Sequence, residues 1–207
     1  MKDQQFQKLV LFVNSLVPLA MLGWNAAHGE LGANPKEAAL HITGQMAVIF
    51  LLLSLVITPL RMITGRNWWS LFRKMLGLFA FFYACVHLSI YFAFYSDFDL
   101  RAFMAALISN KFIFFGLASV GLMLPLAITS TNGSIKRMGA AKWKTLHKLV
   151  YPAAMLAVAH FWMSKKADTT QPKIAAAILF VLLAYRLIKR KPATPKRVVA
   201  VTAPNAI

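Results

Sequence analysis

The sequence predicts an all-α integral membrane protein, a six-helix bundle with both termini in the cytoplasm. Hydrophobic residues make up 59% of the 207 residues and charged residues only 14%, whereas soluble domains are typically about half apolar and about a quarter charged. The apolar residues form six runs separated by short polar segments, as in multi-pass membrane proteins. We expect the six spans at about residues 9–27, 42–60, 75–95, 112–128, 146–164 and 174–188.

The first span is interpreted as a retained helix. Residues 1–8 are expected to form a cytoplasmic N-terminus that carries Lys2 and Lys8. The run at 9–27 starts after basic residues and ends in alanines, as a cleaved secretory signal does. It is longer than a typical signal core and more spans follow it, which favours a helix that stays in the membrane. Pro18 is expected to kink this helix.

The second and third spans are separated by a basic loop. Residues 28–40 are rich in Gly, Pro and Asn and are expected to form a loop that ends the first span. The second span contains no charged residue and ends at about Pro59. The loop at 61–74 carries two tryptophans, a residue enriched at the level of lipid headgroups. In the third span, His87 is the only group that is readily ionised near neutral pH.

The last three spans follow the same pattern. A short loop leads to the fourth span, which ends in the polar segment at 129–133. A second basic loop is expected at 134–144, and the fifth span carries His147 and His160. The sixth span ends in a run of basic residues. Residues 191–207 are rich in Pro and Ala and show no folding pattern, so we expect a disordered cytoplasmic tail.

Basic residues predict the orientation of the bundle. Placing the N-terminus, the segments 61–74 and 132–148 and everything from residue 186 onward in the cytoplasm puts 17 of the 23 Lys and Arg residues there. Positively charged loops mark the cytoplasmic side, so the N-in, C-in topology is strongly favoured. The net charge of +17 therefore reports topology rather than nucleic-acid binding. The six exceptions are Lys36, Arg101, Lys111, Lys165, Lys166 and Lys173.

Two histidines on different spans are predicted to lie at the same depth. Counted from the cytoplasm at 1.5 Å per residue, His87 and His160 lie roughly 18 and 21 Å deep. Ionisable groups inside a bilayer are costly and suggest a function, although a lone histidine can also serve as a hydrogen bond between helices. Two imidazoles at one height suit a haem held between helices. We therefore predict His87 and His160 as axial haem ligands near the outer face.

A third histidine, His147, is predicted near the cytoplasmic face, roughly 20 Å from His160 along one helix. No other span offers a histidine at that level. It could ligate a second haem with water or a weak side chain opposite, or hydrogen-bond a flavin or quinone. A solvated position beside Lys148 is the competing interpretation. Pro152 can kink or re-phase the helix between the two histidines.

Several other residues are candidates for contact with a cofactor. His41, at the outer end of the second span, is expected to be a loop residue or a contact to a haem propionate, and His28 is expected to be solvated. Basic side chains near the cytoplasmic face commonly act as topology determinants, but they could also hold haem propionates or a flavin phosphate through charge-assisted hydrogen bonds. These basic candidates are Arg73, Lys74, Arg137 and Lys144.

Close helix packing and missing motifs limit the function. Small residues at Gly77, Ala80, Gly116 and Gly121 are expected to let helices approach closely. Cys85 is the only cysteine, so the sequence offers no intrachain disulfide and no covalent haem attachment. No glycine-rich nucleotide-binding segment follows a strand pattern. Any haem would be held non-covalently, and its electrons would come from a separate donor and leave to a separate acceptor.

Four segments resemble a known family. The chain is similar, from about Trp24 to Arg190, to the MsrQ (YedZ) family of haem-binding membrane subunits of periplasmic protein-methionine-sulfoxide reductase systems, relatives of the ferric-reductase-like transmembrane domains. The segments are HGELGANPKEAALHITGQ at 28–45, VITPLR at 56–61, RKMLGLFAFFYACVHLSIY at 73–91 and LAITSTNGSIKRMGAAKWKTLHKLVYPAAMLAVAHFWMSKK at 126–166.

The resemblance implies a six-helix protein of the bacterial inner membrane that carries b-type haem, with FMN as a further candidate cofactor. It implies electron transfer to a periplasmic molybdopterin-containing subunit that repairs oxidised methionine, with a cytosolic flavin reductase or membrane quinol as donor. The family's functional histidines correspond to His87, His147 and His160. NADPH-oxidase relatives usually place a fourth histidine on the third helix, and here its position near Lys74 and Met75 has none.

Two other functions are compatible with these residues. One is a self-sufficient reductase of metal ions or quinones that uses the same haem. The other is a non-redox protein, such as a small transporter with histidines along its path. Haem content separates the transporter from the two redox functions, because transport would not depend on haem.

Overall fold

A computed structural model describes residues 2–165 and 168–188, and all regular structure in these ranges is helical. The predicted all-α class is confirmed. The predicted tail at 191–207 lies outside the described residues. The α-helices are α1 Lys2–Ala27, α2 Pro35–Thr64, α3 Ser70–Tyr95, α4 Leu100–Ser109, α5 Lys111–Ile128, α6 Asn132–Met138, α7 Ala140–Leu146, α8 Val150–Ser164 and α9 Thr170–Ile188, with 3-10 turns at Asn67–Trp69 and His147–Leu149.

Five helical stretches in the described part of the chain are long and apolar enough to cross a membrane: Gln4–Ala27, Pro35–Thr64, Asn67–Tyr95, Lys111–Ile128 and Thr170–Ile188. The predicted fifth span corresponds to α8, which has 15 residues. At 1.5 Å per residue it covers only about 22 Å of a hydrocarbon core about 30 Å thick. The protein is therefore a multi-pass helical membrane protein, while the predicted fifth span, the count of six spans and the N-in, C-in orientation stay predictions.

Helix α2 begins earlier than the sequence suggested. Residues 35–40 were expected in a loop, and this prediction is wrong because α2 begins at Pro35. The side chain of Asn34 accepts a hydrogen bond from the backbone N–H of Glu37 at 3.4 Å, and a proline in the first turn loses no helical hydrogen bond. At its other end α2 stops at Gly65, whose φ of 67° is the left-handed conformation that glycine tolerates.

Two predicted loops contain short helices instead. The segment after α3 folds into α4, where the Asp99 carboxylate accepts a hydrogen bond from the Arg101 N–H at 2.8 Å. The predicted basic loop at 134–144 is formed largely by α6 and α7. The Thr131 hydroxyl caps α6 by accepting from the Ser134 N–H at 3.1 Å, and Gly139, with φ of 81°, separates the two helices. Side-chain caps therefore mark the starts of α4 and α6.

The predicted single helix through His147 and His160 is interrupted. A 3-10 turn at His147–Leu149 separates α7 from α8, so the two histidines lie on different helical segments. Pro152 follows shortly after and has no N–H to give to the carbonyl oxygen four residues earlier, at Lys148. The sequence suggested that Pro152 can kink or re-phase the helix, and the interruption lies in the 3-10 turn that precedes this proline.

The bundle is organised around α2, which packs against α3, α8 and α9, while α5 packs mainly against α8. The α5–α8 contact is close because Ala153 and Ala154 are fully buried, and the Ser119 hydroxyl donates to the Ala153 carbonyl at 2.9 Å. Of the small residues expected at helix contacts, Ala80 is fully buried. Gly77 and Gly121 are not at such contacts, since a Cβ there would meet nothing within 4 Å.

Helix α1 is attached to the bundle by one buried polar contact. Tyr83 is fully buried, and its hydroxyl donates to the Ser15 carbonyl of α1 at 2.7 Å. We expect Tyr83→Phe to lower the free energy of unfolding by about 1 kcal/mol, the usual net value of such a bond. Thermal unfolding in detergent would measure the change, with Tyr95→Phe at an exposed position as control. Equal melting temperatures for the two variants would contradict this role.

Candidate haem-binding site

The predicted histidine pair is brought together in the structure. His87 on α3 and His160 on α8 have ring centroids 6.0 Å apart, and their ring planes are inclined by 81°. His87 lies beside the start of α2, and His160 lies beside the start of α5. The prediction that the two histidines lie at one depth therefore agrees with the fold.

Each imidazole is held at the same ring nitrogen. The Nδ1–H of His87 donates to the Leu40 carbonyl at 3.0 Å, and the Nδ1–H of His160 donates to the Phe112 carbonyl at 2.7 Å. A carbonyl oxygen can only accept, so the proton of each neutral imidazole lies on Nδ1. Each Nε2 is then left with its lone pair, which is the state that binds a metal.

A glycine gives each histidine its space. A Cβ at Gly44 on α2 would lie 3.1 Å from the His87 ring, and a Cβ at Gly116 on α5 would lie 2.9 Å from Nδ1 of His160. Each glycine also lies four residues after the carbonyl that its histidine contacts. The α2–α3 and α5–α8 pairs thus repeat one device: an imidazole fits over a glycine and bonds to the carbonyl one helical turn earlier.

The histidine pair lines a cavity of about 600 Å³, a size typical of small-molecule sites. Its deep part is apolar, with Leu51 and Met123 among the lining residues. Its polar lining comes from the start of α2, from α3, from α5 and the residue before it, and from the end of α8. The predicted contact residue His41 also lines it, and its Nε2 lies 3.3 Å from Glu37 Oε1.

These features fit a haem. Two imidazoles with ring centroids 6.0 Å apart, each with a free Nε2, would be near enough to hold one haem iron between them. Haem iron needs only two axial ligands from the protein, and the Nδ1 contacts leave one free nitrogen on each of the two histidines.

The third candidate, His147, lies apart from this pair. Its Nδ1–H donates to the Trp143 carbonyl at 3.1 Å, and its ring stacks on Trp143 with a centroid distance of 3.8 Å. Its Nε2 is buried and has no hydrogen-bond partner among the described residues. The Nδ1 of His147 is therefore hydrogen-bonded and its Nε2 is free, as in the other two histidines, but no second histidine of the described chain lies opposite it.

The basic candidates do not form one cluster. The charge of Arg73 is near enough to act on His147. Lys74 instead lines a separate apolar groove of about 530 Å³ between α1 and α3, together with Lys8. Arg137 and Lys144 are exposed in the last turns of α6 and α7. A positive charge at this end of a helix interacts favourably with the helix dipole. Only Arg73 is placed with His147.

The helices and the paired histidines define a membrane redox component of the ferric-reductase type. Residues 43–158 match the family described as "Ferric reductase like transmembrane component". This range includes His87, Gly44 and Gly116, and His160 lies two residues beyond its end.

Curated relatives match nearly the whole chain. The protein-methionine-sulfoxide reductase heme-binding subunit MsrQ of Rhodospirillum rubrum is 43% identical, with 95% of this chain and 94% of the relative covered. The subunits of the same name from Herminiimonas arsenicoxydans and Deinococcus radiodurans are 42% and 43% identical over 87% and 84% of this chain, and over 84% and 86% of their own lengths. The chain belongs to the MsrQ family of heme-binding subunits.

Proposed function

We propose that the chain is a b-type cytochrome subunit of the bacterial inner membrane, in which His87 and His160 are the axial ligands of a haem b. The observation that carries this proposal is the facing pair of imidazoles, each held at Nδ1 by a carbonyl of a neighbouring helix. Haem iron, when bound, alternates between the ferric and ferrous states and so carries one electron at a time.

The protein residues position the two ligands and tune them. A hydrogen bond at Nδ1 fixes the tautomer and the ring orientation and makes Nε2 a stronger donor to a metal. Leu51 and Met123 contribute apolar lining to the cavity, and the hydrophobic surroundings of a metal site are one control of its redox potential. This arrangement suits a site that exchanges electrons without binding a reacting substrate.

The acceptor and donor are assigned from the family. The relatives are named subunits of a protein-methionine-sulfoxide reductase, so we propose that electrons pass to a periplasmic molybdopterin-containing catalytic subunit that repairs oxidised methionine. A cytosolic flavin reductase or membrane quinol would supply them. In the proposed N-in, C-in topology, the polar mouth of the cavity opens toward the periplasmic side.

A second redox centre near His147 would complete the path. The cavity lies toward one end of the bundle, and a hydrocarbon core is about 30 Å thick, so a single haem leaves much of the membrane uncrossed. The buried, unpartnered Nε2 of His147 supports a second centre, for which a second haem b, FMN and a quinone are the candidates.

An optical spectrum of the purified protein tests the proposal. We expect the reduced-minus-oxidised difference to show low-spin b-type bands, with one haem per chain if His147 binds none and two if it does. Pyridine-haemochrome and flavin quantitation on the same sample give the stoichiometry. Protein that lacks haem after expression with an ample haem supply would overturn the cytochrome function.

Electron delivery requires a second test with the partner present. Reduced protein in vesicles should be reoxidised when the periplasmic catalytic subunit and a methionine-sulfoxide-containing protein are added together, and not when either is omitted. Reoxidation that ignores the catalytic subunit but responds to ferric ions or quinones would replace the proposed acceptor with one of those compounds.

A further inference from the structure

Arg186 is a half-buried cation in the last turn of α9, and its hydrogen bonds are incomplete. Its Nη2 donates to the Leu55 carbonyl of α2 at 2.6 Å, and its guanidinium lies over the Tyr151 ring, 5.2 Å from the centroid. Its Nε and Nη1 are buried without a partner among the described residues. A guanidinium is always charged and has five N–H groups, so most of its donors await an acceptor.

The contact to Leu55 has a clear origin in the sequence. Pro59 lies inside α2, four residues after Leu55. Proline has no N–H, so the Leu55 carbonyl lacks its normal helical donor. Arg186 supplies a donor to this carbonyl and is thereby fixed in the bundle. The bond explains the position of the guanidinium but neutralises none of its charge.

No carboxylate of the described residues pairs with Arg186. Glu30, Glu37, Asp97, Asp99 and Asp168 lie at the opposite ends of the spans. Asp3 lies in α1, outside the part of the chain whose side chains the structure describes, and residues 189–207 contain no Asp or Glu. A buried charge without a counter-charge is strongly unfavourable, and an ionisable group within a membrane bundle normally has a partner.

A second cation lies at the same end of the bundle. Arg73 lies in the first turn of α3, at the same end of the spans as Arg186 in the last turn of α9, and Tyr151 lies one helical turn after His147. Three elements therefore bring two guanidinium groups and an unpartnered imidazole nitrogen to one region. Two arginines that repel each other favour the binding of a shared anion.

We propose that Arg186, together with Arg73, binds an oxyanion carried by a bound molecule at this end of the bundle. Planar guanidinium groups match carboxylate and phosphate oxygens and form charge-assisted hydrogen bonds to them. A carboxylate would come from a haem propionate, and a phosphate from a flavin or a phospholipid. The haem and flavin sources rest on the proposed second centre near His147, whereas a phospholipid phosphate would bind whether or not the protein holds either cofactor.

The test measures haem, flavin and lipid phosphorus per chain in the purified full-length protein, together with its melting temperature. The variants are Arg186→Gln and Arg186→Lys. The matched control is Arg61→Gln, which removes an exposed arginine in the last turn of α2. We expect Arg186→Gln to lower either haem content or phosphate content at least about twofold, as the loss of charge-assisted bonds requires, while Arg61→Gln retains both.

The pattern of loss identifies the anion. A fall in haem with unchanged phosphorus supports a propionate, and a fall in flavin or lipid phosphorus with unchanged haem supports a phosphate. If the glutamine variant does not fold, Arg186→Lys, which keeps the charge without the planar donors, is expected to show a smaller fall of the same kind. The proposal is overturned if both folded variants match Arg61→Gln in all three contents, or if folded wild type contains none of the three molecules.

Discussion

Replacing His160 with alanine is expected to abolish the low-spin haem spectrum of the cavity, and His87→Ala is expected to do the same. Each change removes one of the two imidazoles whose ring centroids lie 6.0 Å apart. Loss of a mere supporting contact to a ligand already costs about 10–100-fold in metal affinity or activity. Loss of the ligand itself should therefore lower haem content in this site by at least about tenfold.

The other histidines provide the controls for this experiment. His28→Ala alters an exposed residue that contacts only Trp24 among its hydrogen-bond and stacking partners, and should leave the spectrum unchanged. His147→Ala should preserve the bands of the cavity haem while removing any second haem or flavin. Haem content and spectra are compared at equal protein concentration. Normal low-spin haem in both His87→Ala and His160→Ala would refute the ligand assignment.

The histidine pair could be predicted because depth along a helix follows from counting. His87 and His160 are far apart in the sequence, but the rise per residue places them at one level whenever their spans cross the same bilayer. Their approach did not depend on the precise ends of α3 and α8, so errors of several residues at the helix ends did no harm. The hydrogen-bond partner of Arg186, in contrast, could not be predicted by counting residues, because the Leu55 carbonyl is free to accept this bond only as a result of Pro59.

Helix ends were harder to predict because they depend on single side chains. The Asn34 cap and Pro35 extend α2 beyond the apolar run from which the span was predicted. Asp99 and Thr131 likewise start helices in segments whose polarity suggested loops. The Asn-Pro pair was a usable signal for α2. The sequence did not predict that Arg73 and Lys74 lie in different places, because this depends on the direction in which each side chain leaves α3.

The two glycines of the site carried a weak signal that sequence reasoning did not use. Gly116 was expected to let helices approach, but the group it accommodates is the His160 ring. Gly44 stands in an otherwise well-formed helix, where glycine costs about 1 kcal/mol relative to alanine. Such a cost suggests a steric purpose, but only the fold reveals that a histidine from another helix occupies the space.

Gly116→Ala is expected to disrupt the haem site although Gly116 is not itself a proposed haem ligand. The new Cβ would lie 2.9 Å from Nδ1 of His160, closer than side-chain carbons approach in practice, so the ring must turn or α5 must move. Either movement strains the 2.7 Å hydrogen bond to Phe112. We expect haem content or affinity to fall about tenfold, within the range for lost supporting contacts.

Gly44→Ala and Gly121→Ala turn this expectation into a graded test. At Gly44 the Cβ would lie 3.1 Å from the His87 ring, so a smaller shift suffices and the loss of haem should be milder. Gly121 lies on α5 with Gly116, but its Cβ would meet nothing within 4 Å; alanine there should keep haem and stabilise the helix by about 0.5–1 kcal/mol. Haem content and melting temperature of the three variants separate steric pressure on a ligand from a general effect of alanine in a helix. Equal haem content in Gly116→Ala and Gly121→Ala would show that the space Gly116 leaves for the His160 ring is not needed for haem binding.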